Sequence, residues 1–277
     1  MALVLAVVSA VLLGASDFFA ARAARYTPSI TVTRSAVAVS TVLSPLLLLV
    51  VDWRWIGRDV VIAVLSGLSM TTGLLLLYRG YSVARMGVVA PMSSVLLAAV
   101  PVVTDLVRGD TPGALGSAGM AIGLLALVLT GYTPSGTGSV RLGAILGVSS
   151  GVAFGVAFTL MGEVDEASGL LPVVLQRLAG IAMLTVVGLI GSAPFFAGER
   201  RSQRNVAAAG ALAVVAIAAL QSAFQQGASG PVAVAASQFA TMAVILSVMF
   251  NRERMRWWQG VGVAATAVGV ALMAAGG

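Results

Sequence analysis

The sequence has no cysteine, no histidine and no lysine; its 16 basic residues are all arginine. The first absence removes disulfides and thiolate chemistry, and the second removes imidazole as base and as metal ligand. Without lysine there is no amine nucleophile to stand in for either. Charge of either sign is scarce. Only 9% of the 277 residues are charged, where a soluble domain carries about 25%. Apolar residues fill the space instead, at 59% with a mean hydropathy of +1.02. Such a composition belongs to an all-α integral membrane protein, with the lipid bilayer as its first partner. The net charge of +6 comes from arginines scattered at segment ends. That is how membrane proteins set orientation, and it is no footprint of nucleic acid.

A spanning helix needs about 20 mostly apolar residues. Ten stretches qualify: 2–21, 30–51, 59–78, 86–107, 113–131, 141–161, 170–190, 205–225, 230–250 and 257–275. Charge, proline or glycine bounds each of them. The first apolar run starts at once, without the charged start and small-residue cleavage site of a secretory signal, so a retained first span is expected. Trp53, Trp55, Trp257 and Trp258 sit at segment ends as interfacial anchors.

The stretch from Gly87 to Gly119 recurs 143 residues later. Gly230 answers Gly87, Val232-Ala233 answer Val89-Ala90, Ser237 answers Ser94, Glu253 answers Asp110, and Gly262 answers Gly119. Arg34 and Arg177 stand at the same spacing. The most linker-like segment, Tyr132-Thr-Pro-Ser-Gly-Thr-Gly-Ser139, lies at the midpoint. The chain therefore divides into a first five-helix repeat (1–131), a linker (132–140) and a second five-helix repeat (141–277). Five is odd, so the second copy enters the membrane upside down. The expected architecture is ten transmembrane helices in two inverted repeats, as in many secondary transporters. Gly143, Gly147, Gly151 and Gly155 recur every four residues in the sixth span, a bare ridge for close helix packing or for sliding. Gly119 and Gly123 suggest the same close approach.

Ionisable residues inside spans cost roughly 2.5–3.5 kcal/mol at the helix centre and need a reason. Asp17, Asp105, Arg34 and Arg177 are such residues. Each either snorkels or pairs locally, or it serves as a proton-coupling or substrate-charge site; Asp17 is the best carboxylate for that role. Asp110 and Glu253 read as caps or as partners of loop arginines. Among uncharged residues, Tyr78, Tyr81, Ser94, Gln221, Ser237, Gln238 and Thr241 either line a wet cavity or bond between helices in a dry bundle. Asp17, Tyr78, Ser94, Gln221, Ser237, Gln238 and Thr241 form the candidate substrate site.

Two enzyme-like strings fail on context. Gly147-Val-Ser-Ser-Gly151 matches a nucleophile elbow, but the chain has no histidine or lysine base. Gly260-Val-Gly-Val-Ala-Ala265 matches a loose dinucleotide fingerprint inside a span, with no strand before it. Carboxylates are few and dispersed, so no metal site is expected. No cofactor or enzymatic activity is expected either.

The pattern resembles the EamA-type transporters of the drug/metabolite transporter superfamily. Gly14-Ala-Ser-Asp-Phe18, Arg34, Asp110 and Gly119 carry the likeness in the first half. Gly155, Arg177, Glu253, Gln259 and Gly262 carry it in the second. Asp110 stands where the family has glutamate, and Val244 is the counterpart of the family-like Pro101. The resemblance implies export of small organic metabolites, amino acids among them, by alternating access. It places the cavity between spans one, three, four, six, eight and nine, in a bacterial inner membrane. A lipid-linked sugar translocator and a non-transporting membrane subunit are the alternatives. The resemblance also implies cytoplasmic termini. The arginine count points the other way: Arg22, Arg25, Arg79, Arg85, Arg141, Arg200, Arg201, Arg204, Arg252, Arg254 and Arg256 share one side, against Arg54, Arg58 and Arg108. No feature of the sequence sets an oligomeric state.

Overall fold

Backbone N–H and C=O groups cannot be left unpaired in an apolar medium, and a chain this apolar answers with helix. The computed structural model is 86% helical and contains no strand among its described residues. It describes residues 1–84, 86–132, 139–191, 194–196, 198–251 and 256–276, without the side chains of Tyr81, Ser82, Met86, Ser247 and Asn251. Residues 133–138 of the expected linker, Arg85, Arg252, Glu253 and Arg254 lie outside the described residues, as does the side chain of Tyr81.

The helices are α1 (Ala2–Ala23), α2 (Ser29–Leu43), α3 (Gly57–Val83), α4 (Met86–Arg108), α5 (Ala114–Gly131) and α6 (Val140–Gly162). Then follow α7 (Leu171–Ile190), α8 (Arg200–Gln226), α9 (Ser229–Ser237), α10 (Phe239–Asn251) and α11 (Trp257–Gly276). Ten segments, counting α9 and α10 as one and α2 with its terminal turn as another, are long and apolar enough to cross a membrane. Two of the expected spans are not plain helices. The second tightens into a 3-10 turn, Ser44–Leu49, because Pro45 has no N–H to offer the α ladder. The ninth divides at Gln238, between α9 and α10.

The most extensive packing joins α1 to α8, α5 to α11, and α6 to both α4 and α3. Glycine makes these seams close. A Cβ on Gly151 would stand 2.6 Å from Leu96 Cβ and from the Ser93 carbonyl, and one on Gly155 2.5 Å from Val100 Cβ. Gly147 abuts Val89 and Met92 in the same way. The ridge read from the sequence is thus the bed on which α4 lies. Gly119 and Gly269 do the same for α5 and α11, each backed by the other helix's backbone. Small residues let dispersion contacts accumulate where apolar surroundings give no hydrophobic drive to associate. The core between the helices is built from Phe154, Phe158, Met161, Leu220, Phe224 and the run Val232–Ala236, all buried. Large exposed side chains such as Leu65, Leu125, Val186 and Leu189 are apolar, which fits a multi-pass membrane protein.

Candidate functional site

Helix α1 is held on two faces. Gly14 is pressed against α10, where an added Cβ would meet Met242 Cβ at 2.6 Å and the Phe239 carbonyl at 2.8 Å. Ser16 donates to the Ala209 carbonyl of α8 at 2.9 Å. A third face carries Val4, Val8 and Val11, all exposed. At 3.6 residues per turn, Asp17 points roughly 180–240° away from those three valines. It is exposed, on a side of α1 other than that of the three valines. It lies six residues before Ala23, or about 9 Å below the end of α1 by the helical rise. Among the described residues no hydrogen bond or ion pair engages its carboxylate.

Tyr78, from the last turns of α3, lies within electrostatic range of Asp17 and within hydrogen-bonding reach of Thr33 of α2. Thr33 also reaches the Ser29 carbonyl, at 2.9 Å.

The remaining candidates do not join this pair. Gln238, at the α9–α10 division, donates to the Gly123 carbonyl at 3.1 Å and accepts from Thr266 at 2.9 Å and Thr241 at 3.2 Å. Thr241 also lies 3.2 Å from the Thr130 hydroxyl. This is a dry polar knot of α5, α9, α10 and α11, with Gln238, Thr241 and Thr130 all buried. Gln221 is buried and donates to the Met161 carbonyl at 3.1 Å. Ser237 turns back on the Val234 carbonyl at 2.8 Å. Ser94 is buried in α4, beside Ser93, which meets the Ser150 hydroxyl at 3.0 Å. Arg34 is fully buried, donates to the Pro194 carbonyl and lies over the Phe195 ring at 4.2 Å. Arg177 donates to Gln176 Oε1 at 3.2 Å and to Met70 Sδ at 3.6 Å. Arg34 thus ties α2 to residues 194–195, and Arg177 ties α7 to α3.

The opposite end of the bundle is cross-linked by ion pairs and hydrogen bonds. Glu163, which caps α6, is bridged by Arg58 of α3 at 3.5 Å and by Arg108 of α4. Asp59 accepts from the Ser168 hydroxyl at 2.5 Å and from the Asp165 N–H at 3.0 Å. Gln225 of α8 donates to the Asp165 and Gly169 carbonyls at 3.3 and 3.1 Å. Asp105 of α4 accepts the Gly230 N–H of α9 at 2.5 Å. Asp110 lies within electrostatic range of Arg108, and its N–H bonds the Asp105 carbonyl at 3.0 Å. A cavity of about 240 Å³ opens beside this latch, lined by Val102, Asp105, Asp110, Thr111 and Met120. One repeat length away, Glu163, Asp105 and Arg108 correspond to Ala20, Val248 and Asn251, which cannot reproduce the clamp. Sequence reasoning placed Arg58 and Arg108 on one side, without their shared partner Glu163. It missed Thr33 and Asp59 altogether; a polar residue at each helix start was the only available signal.

No protein-family model matches the chain. No curated protein matches it either. Among solved structures, one described simply as a crystal structure of a protein has the same fold. It superposes with a TM-score of 0.80 over 97% of this chain and 94% of that one, at 13% identity. At that identity the likeness is one of fold alone.

Proposed function

We propose that this chain is a secondary transporter that moves a small organic solute across a membrane by alternating access, as a member of the EamA-type group it resembles. The observation that carries the reading is Asp17. An ionisable side chain within an apolar helix, exposed and engaged by no hydrogen bond or ion pair among the described residues, is costly in a bilayer and calls for a partner. The ion pairs that cross-link the opposite end lend further support, since alternating access needs a closure that can break.

The inverted-repeat architecture, with units 1–131 and 141–277, has contact-level support. Gly67 packs on Ala179, and Gly210 packs on Ala36. Adding 143 turns 67 into 210 and 36 into 179, so the second contact is the first with the copies exchanged. Gly119 against Met273 and Gly262 against Thr130 make a second reciprocal pair. Contacts that swap in this way are the mark of a two-fold axis between two copies. With five spans per copy, that axis lies in the membrane plane. Rocking of one unit on the other would then expose Asp17 to each side in turn, driven by the solute gradient or a proton gradient. A bacterial inner membrane is the proposed location, and small metabolites, amino acids among them, are the proposed cargo.

A non-transporting membrane subunit is the second reading, and the Gln238–Thr241–Thr266 knot favours it, because a static bundle satisfies its polar groups internally. Asp17 is what that reading leaves unexplained. Counterflow in proteoliposomes, with a pooled panel of labelled amino acids and small metabolites and with or without a pH gradient, separates the two. Specific uptake is expected. Folded protein that moves nothing in the panel would overturn the transport reading.

A further inference from the structure

The arginines at the two ends of the bundle are treated differently. At one end Arg58 and Arg108 have Glu163 between them. At the other, where α1 finishes and α8 begins, Arg25, Arg200, Arg201 and Arg204 are all exposed and take part in no ion pair among the described residues. The first turn of α8 holds no acidic residue to offset them, and the neighbouring Glu199 pairs with none of the four. Hydrogen bonds between distant parts of the chain gather these arginines. The buried Thr27 and Ser202 hydroxyls lie 2.9 Å apart, and Ser202 also donates to the Ala23 carbonyl at 3.4 Å. Arg25 lies between the contact points Ala23 and Thr27, and Ser202 lies between Arg201 and Arg204. The Arg201 guanidinium stands 5.8 Å from the centre of the Tyr26 ring. Thr31, in the first turn of α2, donates to the Pro194 carbonyl at 2.9 Å and so brings Phe196 to the same end. Tyr26 is 51% exposed and Phe196 68%. Such rings settle at the boundary between headgroups and acyl chains, which sets the four cations at phosphate depth.

We infer that this arginine and aromatic surface binds the headgroup of an anionic phospholipid. A guanidinium presents a planar fork of N–H donors that matches phosphate oxygens two at a time. Each arginine close to an anionic lipid surface strengthens binding by about fivefold. A zwitterionic phospholipid offers the same phosphodiester, but its ammonium meets the arginines with like charge. Free phosphate has the charge without acyl chains, so it gains nothing from the rings of Tyr26 and Phe196. The surface therefore ranks phosphatidylglycerol above both phosphatidylcholine and inorganic phosphate. Arg25 comes from the end of α1 and the other three from the start of α8, so a bound headgroup fastens the two helices together. A carrier and a static membrane subunit would carry this surface alike, and the inference is independent of the transport reading.

The test titrates the full chain in detergent with dioleoyl phosphatidylglycerol, dioleoyl phosphatidylcholine and inorganic phosphate, and native mass spectrometry reads what stays bound. The parent should bind phosphatidylglycerol at least about fivefold more tightly than phosphatidylcholine. Arg25→Gln, Arg200→Gln and Arg204→Gln combined should remove most of that preference. None of the three makes a side-chain hydrogen bond, ion pair or ring contact among the described residues, so this triple variant should unfold at the parent's temperature. Replacing the same three by lysine keeps the charge and should keep most of the preference. Arg54→Gln, at the opposite end, should leave it unchanged. A second measurement needs no variant: amide exchange at residues 25–27 and 200–204 should be slower in phosphatidylglycerol nanodiscs than in phosphatidylcholine nanodiscs. Equal affinity for the two lipids, or exchange at these residues indifferent to the lipid, would overturn the inference. So would a preference that survives the triple glutamine variant, or one lost equally in the lysine variant. Inorganic phosphate bound as tightly as phosphatidylglycerol would make the surface a free-anion site and overturn its assignment to lipid.

Discussion

Glu163 holds the closed end through two arginines, and its removal should loosen that end by a measurable amount. The three side chains are partly exposed: Glu163 at 26%, Arg108 at 51% and Arg58 at 65%. Exposed ion pairs contribute about 0.2–1 kcal/mol each. The longer, more exposed Arg58 pair belongs at the low end of that range and the closer Arg108 pair at the high end. Together they amount to about 1–1.5 kcal/mol, and Glu163→Gln also leaves two guanidinium groups facing each other. At 1.4 kcal/mol per factor of ten, the population open at this end should rise about five- to tenfold. The chain has no cysteine, so a single introduced thiol reports cleanly. Ala98 is fully buried in α4, seven residues and therefore two turns before Asp105 on the same face. In an Ala98→Cys background, the labelling rate with a membrane-impermeant maleimide added from the clamped end tracks the open population. Glu163→Gln should raise that rate about five- to tenfold, Arg108→Gln less, and Arg58→Gln least. Raising salt should mimic the effect in the parent, since surface pairs are screened. An unchanged rate in Glu163→Gln, or Arg58→Gln exceeding Arg108→Gln, would refute the assignment of the clamp.

The reciprocal seams give a second prediction. Gly67→Val and Gly210→Val should destabilise the fold by similar amounts, about 1–3 kcal/mol each, because each forces a side chain into the equivalent helix backbone. Thermal unfolding in detergent reads this, and a large effect from one with none from the other would contradict the two-fold arrangement. Gly151→Leu should cost more than either, since α4 would have to leave its bed along Ser93 and Leu96; a variant as stable as the parent would show that the α4–α6 seam is loose. Gln238→Leu should lower stability by about 0.5–1.5 kcal/mol per hydrogen bond lost to Gly123, Thr241 and Thr266. On the proposed transport reading, a half-saturation at the parent value would take Gln238 out of the solute site, and a large rise would keep it there. Asp59→Asn should weaken the loop before α7, seen as faster amide exchange at Asp165 and Ser168; unchanged exchange would mean that Asp59 does not hold the loop.

Much of this was legible in the sequence for a simple reason. A membrane-spanning helix is a local object, about 20 apolar residues between punctuation marks. All ten segments could be placed from composition alone, and Asp17 stood out because its charge is anomalous within its own segment. The rest depends on distant pairings. Arg58 meets Glu163 across 105 residues, Asp105 meets Gly230 across 125, and Gln238 meets Gly123 across 115. Nothing local in the sequence separates a glutamine that lines a cavity from one that ties two helices together. Gln221 and Gln238 were for that reason grouped with Tyr78, and only packing separates them. Thr33 was invisible because its neighbour Tyr78 comes from another helix, 45 residues on.

The two ends of the molecule are chemically unequal, and this bears on any solute measured from both sides. No passive carrier can rectify: at zero gradient the two fluxes must balance, however the protein is biased. The bias appears instead in concentration. If the chain is the carrier proposed above and rests closed at the Glu163 end, its apparent affinity from that face is reduced by the fraction open. The clamp's about 1–1.5 kcal/mol would then become a five- to tenfold difference in half-saturation between the faces. On the proposed repeat, that sense of direction would come from two carboxylates whose counterparts are Ala20 and Val248.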